Sequence, residues 1–391
     1  MGKLWDETQR NFERLGDTAT HTDLANLAGD YPQLLAHAVQ LNQVPRWFVN
    51  IADRLAFAGF WNAFKVDTGT ITDNAPGAAF ARGVHGIWLY RNGTLEDAQA
   101  HLSEAARNPL LPQNARDLLT LRNAAVLRLT AGWDVAQSEL ATITTQEGSL
   151  GVQVRHWDAL SNLAQNKLQT GLDMLPTPDE LPDITRRYWL NIGWTHMECA
   201  LVNKAIAAQE KALQYARSIS SVIAEGEALA NLAWGETWTD PDAAKTHAKE
   251  AIRLSHKTGN LIDEQRGYLA LAIASAGTAP DEEFYTALQK AQDLAYRTGN
   301  RRSTLYMHFA RAWHAAIQND DQTLNRSIAE IDSLSTLTKS RQNWADIARA
   351  WLPGQTRENA ELAARWEWLD SPEDTMRRWR QLLDNRKALA G

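Results

Sequence analysis

EAIRLSHKTGN at residues 250–260 and KAQDLAYRTGN at 290–300 decide the fold, because one pattern of residues is used twice. A weaker copy, KALQYAR, lies at 211–217, where Ala212 precedes Ala251 by 39 positions. Self-similarity at a period of 20 to 50 residues is the signature of a solenoid. Each unit holds two helix-length segments and no strand-like run, so the sequence predicts a stack of helical hairpins.

The residues between these segments predict where helices begin and end. Gly259 and Gly299 stand where a left-handed residue would stop a helix. Asp240 and Pro241 supply a side-chain cap and a proline at the first helical position of the next helix, and Pro280 is expected to play the same role one unit later. The two-helix units can be followed on these signals from about Phe80 onward.

Small residues recur twelve positions apart, one in each helix of a unit, where small side chains let two backbones approach. The pairs are Gly86 and Ala98, Ala124 and Ala136, Gly193 and Ala205, and Ala348 and Ala360. Trp189 and Trp344 stand four residues before Gly193 and Ala348. On these residues, the chain between about 80 and 370 resembles tetratricopeptide repeats. The units of about 40 residues exceed the standard 34 and resemble the repeats of bacterial signalling regulators.

This resemblance implies an all-α fold, a right-handed superhelical solenoid of tetratricopeptide-like hairpins with an N-terminal helical bundle. We expect eighteen to twenty helices and no sheet. The expected segments are a bundle at 1–65, a loop at 66–79, a repeat array at 80–370 with a degenerate repeat near 150–183, and a C-terminal capping helix at 371–391.

Three local expectations concern the N-terminal part. Residues 1–22 are expected to form one helix, and a second is expected to stop near Gly29 and restart at Pro32. The aromatic-rich segment 46–64 is expected to form a single helix buried on more than one side.

Bulk properties exclude several classes of protein. The chain has 391 residues, a net charge of −7 and one cysteine, Cys199, which excludes an internal disulfide and a multi-cysteine zinc site. The N-terminus lacks the apolar core of a signal peptide, and no apolar run approaches the length of a membrane span. We therefore expect a cytoplasmic protein with no membrane segment. The negative charge argues against nucleic acid as a partner, and we expect the sixteen tryptophans to fill gaps between helices.

Motifs that carry chemistry are absent from the sequence. It has no phosphate-binding Gly-x-x-x-x-Gly-Lys-Ser/Thr, no His-Glu-x-x-His and no Gly-x-Ser-x-Gly. The triplet Asp67-Thr68-Gly69 matches aspartic proteases but lacks a second copy and a β scaffold. In the run from His196 to Cys199, adjacent helical residues point in different directions, which disfavours a zinc site. We expect no enzyme activity, no catalytic residue, no cofactor and no metal.

The resemblance implies that the chain binds a protein or peptide in the concave groove of the solenoid and acts as a scaffold or adaptor. The alternative is a peptide-responsive regulator of a signalling protein or transcription factor, and the layout of bundle and repeats is similar in outline to peptide-sensing regulators of the Rap type. Under either interpretation the partner is a protein or peptide.

The most regular hairpins begin with the segments 186–200, 224–237, 261–276 and 302–318, and we expect their inner faces to form one surface. Aromatic residues there would anchor a partner and charged residues would orient it. The expected ligand-binding residues are Arg187, Trp194, Glu198, Glu236, Tyr268, Tyr306 and Trp313.

The last helix carries five basic residues between Arg377 and Lys387. One interpretation is that they bind acidic partners or nucleic acid. The interpretation we favour is a polar cap, which a solenoid needs at its end, with Trp379, Leu382 and Leu383 sealing the last repeat. Such a cap would keep Trp366 or Trp368 away from water.

Overall fold

A computed structural model of the chain describes residues 2–71, 74–165, 167–180, 184–277, 281–335, 339–353 and 372–390. This part of the chain contains nineteen α-helices and no β-strand, which confirms the all-α expectation. None of its helices is both long and apolar enough to span a bilayer. The helices are α1 Gly2–Leu15, α2 His21–Leu41, α3 Arg46–Ala58, α4 Pro76–Asn92, α5 Leu95–Ala106, α6 Gln113–Thr130, α7 Trp133–Leu140, α8 Gly148–Ala164, α9 Leu168–Met174, α10 Ile184–Glu198, α11 Val202–Ser218, α12 Val222–Glu236, α13 Pro241–Thr258, α14 Leu261–Ser275, α15 Glu282–Thr298, α16 Arg301–Gln318, α17 Asp321–Ser335, α18 Lys339–Arg349 and α19 Pro372–Ala390.

From α4 to α17 the helices alternate between even-numbered first helices and odd-numbered second helices, and α18 is a further first helix. Consecutive helices pack on each other from α4 to α7 and from α11 to α18. First helices also pack on the first helix of the next hairpin, as α12 does on α14 and α14 on α16. This double set of contacts is how a solenoid builds a continuous core from units that cannot fold alone. The predicted stack of hairpins is therefore confirmed.

The paired small residues mark close approaches between helices. A Cβ added to Gly86 on α4 would lie 3.0 Å from the carbonyl oxygen of Ala98 and 2.7 Å from Cγ of Leu102, both on α5. Any larger side chain at this position would force the two helices apart. The twelve-residue spacing read from the sequence thus corresponds to a physical contact.

The Thr-Gly-Asn segments serve both as the end of one helix and the start of the next. Gly259 has φ 71° and Gly299 has φ 70°, the left-handed conformation that ends α13 and α15. The Asn260 side chain then accepts a hydrogen bond from the Asp263 amide and caps α14. As predicted, Asp240 caps α13 by accepting from the Ala243 amide, and Pro241 occupies the first helical position. Pro280, expected to play the same role for α15, lies outside the described residues.

The N-terminal helices differ from the sequence expectation. α1 ends at Leu15 rather than near residue 22, and α2 starts after a capping box made by Thr20 and Asp23. The expected break at Pro32 was wrong, because α2 runs through it to Leu41. Tertiary packing overrides the local signal there: Tyr31 is completely buried and stacks on the ring of Phe48 at 5.0 Å.

The aromatic-rich segment 46–64 is not one helix. α3 ends at Gly59, which has φ 98°, and a short 3-10 turn follows at Trp61–Phe64. Further on, Asp67 accepts a hydrogen bond from the Gly69 amide and so belongs to another 3-10 turn at Thr68–Thr70. Its carboxylate has a structural role in that turn.

The helices form two compact units. Unit 1 comprises Met1–Trp157 and Pro176–Thr185, and unit 2 comprises Asp158–Leu175 and Arg186–Gly391. Within unit 1, α2 packs on α4 and α3 packs on α6, so the N-terminal helices share a core with the first hairpins. The domain boundaries expected at 65, 79 and 370 stay predictions.

Helix α19 binds the carboxyl-terminal ends of first helices in unit 2. Arg386 donates three hydrogen bonds to the carbonyl oxygens of Ala274 and Ala276, at 2.6 to 3.2 Å, where α14 ends. Arg378 donates to the carbonyl of Cys199, beyond the end of α10, and Arg380 to the carbonyl of Leu352, beyond α18. The last carbonyls of a helix lack intrahelical donors and carry partial negative charge, so basic side chains suit them.

These contacts explain the basic composition of α19. Lys387 reaches the Asn319 side chain that follows α16, and Arg377 pairs with Asp374 on its own helix. The apolar side of α19 is buried in the core through Trp379 and Leu383, with Leu382 half-buried beside it. α19 therefore covers the ends of several first helices rather than the last repeat alone. Trp366 and Trp368, which we expected the cap to cover, lie outside the described residues.

We predict that Gly86→Ala destabilises the protein by about 1–3 kcal/mol, the usual cost of overpacking. Gly226→Ala is the matched control, because the added Cβ would meet its neighbours at an ordinary 3.4 Å or more. That control should gain up to about 1 kcal/mol from helix propensity. Chemical denaturation followed by circular dichroism measures both. Equal effects of the two substitutions would contradict the close-approach interpretation.

We predict that Arg386→Met lowers the free energy of unfolding by about 2–4 kcal/mol, because it leaves buried carbonyls without donors. Arg377→Met should change it by less than about 0.5 kcal/mol, since Arg377 is exposed and paired only within α19. Thermal unfolding compares the two variants. If Arg377→Met lowers the free energy of unfolding as much as Arg386→Met does, then α19 stabilises the protein through its overall charge.

Candidate functional site

The first helices of unit 2 meet along one surface, which we call the inner face. It is formed by side chains of α10, α12, α14, α16 and α18. Three regions follow along it: a charged network near the amino-terminal ends of the helices, an aromatic patch in the middle, and a buried tryptophan core towards their carboxyl-terminal ends, where α19 binds.

The aromatic patch consists of Trp194, Trp234 and Tyr306, which are half-buried, and Trp344, which lies buried beneath them. Every pair among these four rings has its centroids 5.6 to 6.4 Å apart. Helices α10 and α18 are far apart in sequence, yet their tryptophans touch. The inner face is therefore narrow, and its own aromatic rings fill much of the groove that the sequence led us to expect.

Trp313 does not line this surface. Its ring is completely buried and packs against Trp238 at 4.7 Å and Trp351 at 5.0 Å. Trp379 of α19 covers Trp238 from the other side at 5.0 Å. The expected anchor role of Trp313 was wrong, because α19 closes the core over this part of the inner face.

Arg302 borders the aromatic patch. It lies one helical turn before Tyr306, donates a hydrogen bond to the Tyr306 hydroxyl at 3.0 Å, and has its guanidinium carbon 5.7 Å from the centre of that ring. Among the described residues, no carboxylate lies within 4.0 Å of Arg302. The guanidinium is thus held beside the patch by an aromatic neighbour and keeps donors for another group.

Glu198, at the last position of α10, is a buried carboxyl group. Only 6% of the residue is exposed, and its Oε2 atom has no hydrogen-bond partner among the described residues. Burial raises the pKa of Glu198 to about 8, and the charge of Arg302 opposes part of that rise. At neutral pH this side chain is therefore mostly protonated. The indole nitrogen of Trp234 is also buried without a partner in the described part of the chain.

Arg187 belongs to the charged network. Glu227 on α12 pairs with the buried Arg186 and lies 4.0 Å from Arg187. Glu227 also lies 3.6 Å from Arg266 of α14. Arg266 in turn pairs with Asp263 at 2.9 Å. Three guanidinium groups thus surround two carboxylates. The network joins three first helices.

Glu236 is separated from the aromatic patch. Its carboxylate lies 2.6 Å from Nδ1 of His247 on α13, and burial raises the pKa of Glu236 while His247 opposes that shift. Both side chains line an open pocket of about 430 Å³ between α11, α12 and α13. The other lining residues are Glu210, Leu213, Gln214, Arg217 and Leu232. Glu236 therefore does not share a surface with Trp194, as the sequence led us to expect.

Tyr268 is half-buried on α14 and packs against the core of unit 2. Burial, together with the nearby Glu264, raises the pKa of its hydroxyl. Of the seven expected residues, the structure brings Trp194 and Tyr306 into contact and places Glu198 near Arg302. It places Arg187 in the charged network.

Sequence reasoning missed Trp234, Trp344 and Arg302 as members of this surface. Trp234 follows Trp194 by one repeat period of 40 residues, so the period itself could have identified it. Arg302 stands four residues before Tyr306, which places both on one helix face. Only the curvature of unit 2 brings Trp344 beneath the patch, and no local signal carried that information.

Comparisons with known proteins give a structural likeness that carries no argument about this chain. No protein-family model and no curated protein matches the chain. A crystal structure of a Rap protein complexed with competence and sporulation factor aligns over 80% of this chain and 99% of its own, at 12% identity and a TM-score of 0.48. A likeness at this level carries no argument about what this chain binds. The helices themselves define the class: a helical-repeat protein.

We predict that Glu198→Gln stabilises the protein increasingly as pH rises from 5 to 8. Glu198 keeps its proton up to a pKa of about 8 in the folded state but loses it near 4.5 in the unfolded state. Raising the pH within this window therefore favours the unfolded state of the wild type and lowers its free energy of unfolding. The gain from glutamine should reach up to about 4 kcal/mol at pH 8, since one pKa unit corresponds to about 1.4 kcal/mol. Urea unfolding at several pH values measures it.

Glu250→Gln is the control for this series. Glu250 is partly exposed and pairs with Arg253, which lowers the pKa of Glu250, so its charge is constant between pH 5 and 8. If the difference in stability between Glu198→Gln and the wild type does not grow with pH, then Glu198 is ionised in the folded protein at neutral pH.

Proposed function

We propose that this protein binds a peptide or an extended protein segment on the inner face of unit 2 and acts as a non-catalytic scaffold or adaptor. One observation carries the proposal. Three half-buried aromatic rings from three helices, Trp194, Trp234 and Tyr306, form a single surface beside a guanidinium that has no ion pair among the described residues.

Aromatic and arginine side chains account for most of the energy at binding surfaces, because they combine a large apolar area with few flexible bonds and a polar end. The rings of the patch already pack on each other and on Trp344, so they are held rigid before a partner arrives. A rigid anchor loses little conformational entropy on binding.

The narrow inner face favours an extended segment over a folded domain as the occupant. Rings from α10 and α18 touch across it, which leaves a shallow strip rather than a wide groove. The polar groups along the strip, Arg302 at the patch and the charged network beyond, offer hydrogen bonds to a peptide backbone. This arrangement of an apolar centre and a polar rim is typical of interfaces.

We expect selection from a phage-displayed library of random dodecapeptides, with the full-length protein as bait, to enrich peptides that bind this patch. Tyr306→Ala and Trp194→Ala should each weaken an enriched peptide by about 2 kcal/mol or more, the usual effect of truncating an anchor. Binding of the synthetic peptides is measured by fluorescence anisotropy. Circular dichroism confirms that each variant is folded.

Tyr296→Ala provides the matched control, because Tyr296 is an aromatic residue on the second helix α15 with 92% of its surface exposed. It should leave affinity unchanged. Failure to enrich any peptide, or enriched peptides that bind the patch variants as tightly as the parent, would show that the patch is only part of the core.

A further inference from the structure

We infer that the segment bound at the aromatic patch carries a carboxylate and that Arg302 binds it. This inference rests on the proposed function and deepens it by assigning the chemistry of the ligand. It stands on two observations: the geometry of Arg302 and the buried carboxyl group of Glu198.

The side chain of Arg302 is positioned but not neutralised. One of its terminal nitrogens donates to Tyr306, and the planar group lies near the ring of the same residue. Guanidinium presents several donors in a fixed plane that matches a carboxylate in a two-bond arrangement. With no carboxylate of the described chain within ion-pair distance, these remaining donors are available to a ligand.

The charge of Arg302 favours an acidic group over a basic one, because no carboxylate of the described residues lies within 4.0 Å of its guanidinium. A lysine or arginine of a partner would meet repulsion from Arg302, whereas an aspartate or glutamate would be attracted to it.

Glu198 links this site to pH. In its protonated form the buried carboxyl group is neutral, so it does not compete with a ligand for Arg302. Ionisation would place a negative charge near the ligand carboxylate and draw the guanidinium towards Glu198. Binding should therefore weaken as pH rises through the pKa of Glu198, which burial raises to about 8.

Several charged or ionisable groups lie near Glu198. Arg302 of α16 is one, and Arg378 of α19 donates a hydrogen bond to the carbonyl of Cys199, the next residue along the chain. His196 lies two residues earlier on α10, and burial lowers the pKa of His308 on α16. A free thiol has an ordinary pKa of about 8.5, and Cys199 is a buried free cysteine. The Glu198→Gln variant retains all of these groups, so its comparison with the wild type assigns the pH dependence to Glu198.

The experiment uses an acidic dodecapeptide enriched by the full-length protein, synthesised with an amidated carboxyl terminus, and the same peptide with each Asp or Glu changed to Asn or Gln. We expect the Asn/Gln peptide to bind about tenfold more weakly than the acidic peptide, which corresponds to 1.4 kcal/mol. Arg302→Gln should weaken the binding of the acidic peptide by a similar factor and leave the affinity for the Asn/Gln peptide unchanged. Arg253→Gln, an exposed arginine paired on the second helix α13, should have no effect.

The pH series supplies the second measurement. Wild-type affinity for the acidic peptide should fall about fivefold to tenfold between pH 7.5 and 9.0, and Glu198→Gln should abolish this fall while keeping the affinity seen at pH 7.5. The Asn/Gln peptide, synthesised with a free carboxyl terminus, tests whether a terminal carboxylate can replace a side-chain carboxylate.

Each result decides the inference. Enriched peptides that depend on the patch but carry lysine or arginine, or no charge, would overturn it while leaving the proposed function intact. So would binding that Arg302→Gln leaves unchanged, or a pH dependence that persists in Glu198→Gln. Absence of any patch-dependent peptide would overturn both the inference and the proposed function.

Discussion

A single hairpin of this chain cannot bury its own apolar side, and close approach between helices is the constraint on which the whole structure depends. Where α4 meets α5, only glycine fits at residue 86, because a methyl group would touch Leu102 and crowd the backbone of Ala98. Such contacts fix the distance between helices. Once that distance is fixed, the side chains that the first helices direct towards one another have a defined place.

In unit 2 those side chains are unusually large. Tryptophans of α16 and α18, and others that directly follow α12 and α18, meet Trp379 of α19 in one buried cluster. Within it Trp238 and Trp313 are in edge-to-face contact. Rings of this size fill the space that smaller residues would leave as an open groove. The basic side chains of α19 then satisfy carbonyls at the helix ends, so one helix provides both apolar cover and hydrogen-bond donors.

Two buried carboxyl groups differ in how completely they are hydrogen-bonded. In unit 1, the buried Asp53 accepts hydrogen bonds from Gln153 and Arg122 at 2.8 to 2.9 Å, and the group is fully satisfied. In unit 2, Glu198 and the indole nitrogen of Trp234 have buried atoms without partners among the described residues. A buried polar atom without a partner is costly and calls for an explanation. Here both residues border the surface on which we propose that a ligand binds.

The sequence by itself determined the class of fold. The repeat of EAIRLSHKTGN as KAQDLAYRTGN, the left-handed Gly259 and Gly299, and the cap at Asp240 are local signals, and local hydrogen bonds enforce them. Trp234 could also have been found from the period. Tertiary structure decided what no local signal contains: that α2 passes through Pro32, that Trp313 is buried while Trp194 and Tyr306 share a surface with Trp344, and that Glu236 faces α13. These outcomes depend on the curvature of unit 2 and on the path of α19. Both the curvature and the path result from many contacts between residues far apart in the chain. Periodicity and helix propensity do not encode such contacts.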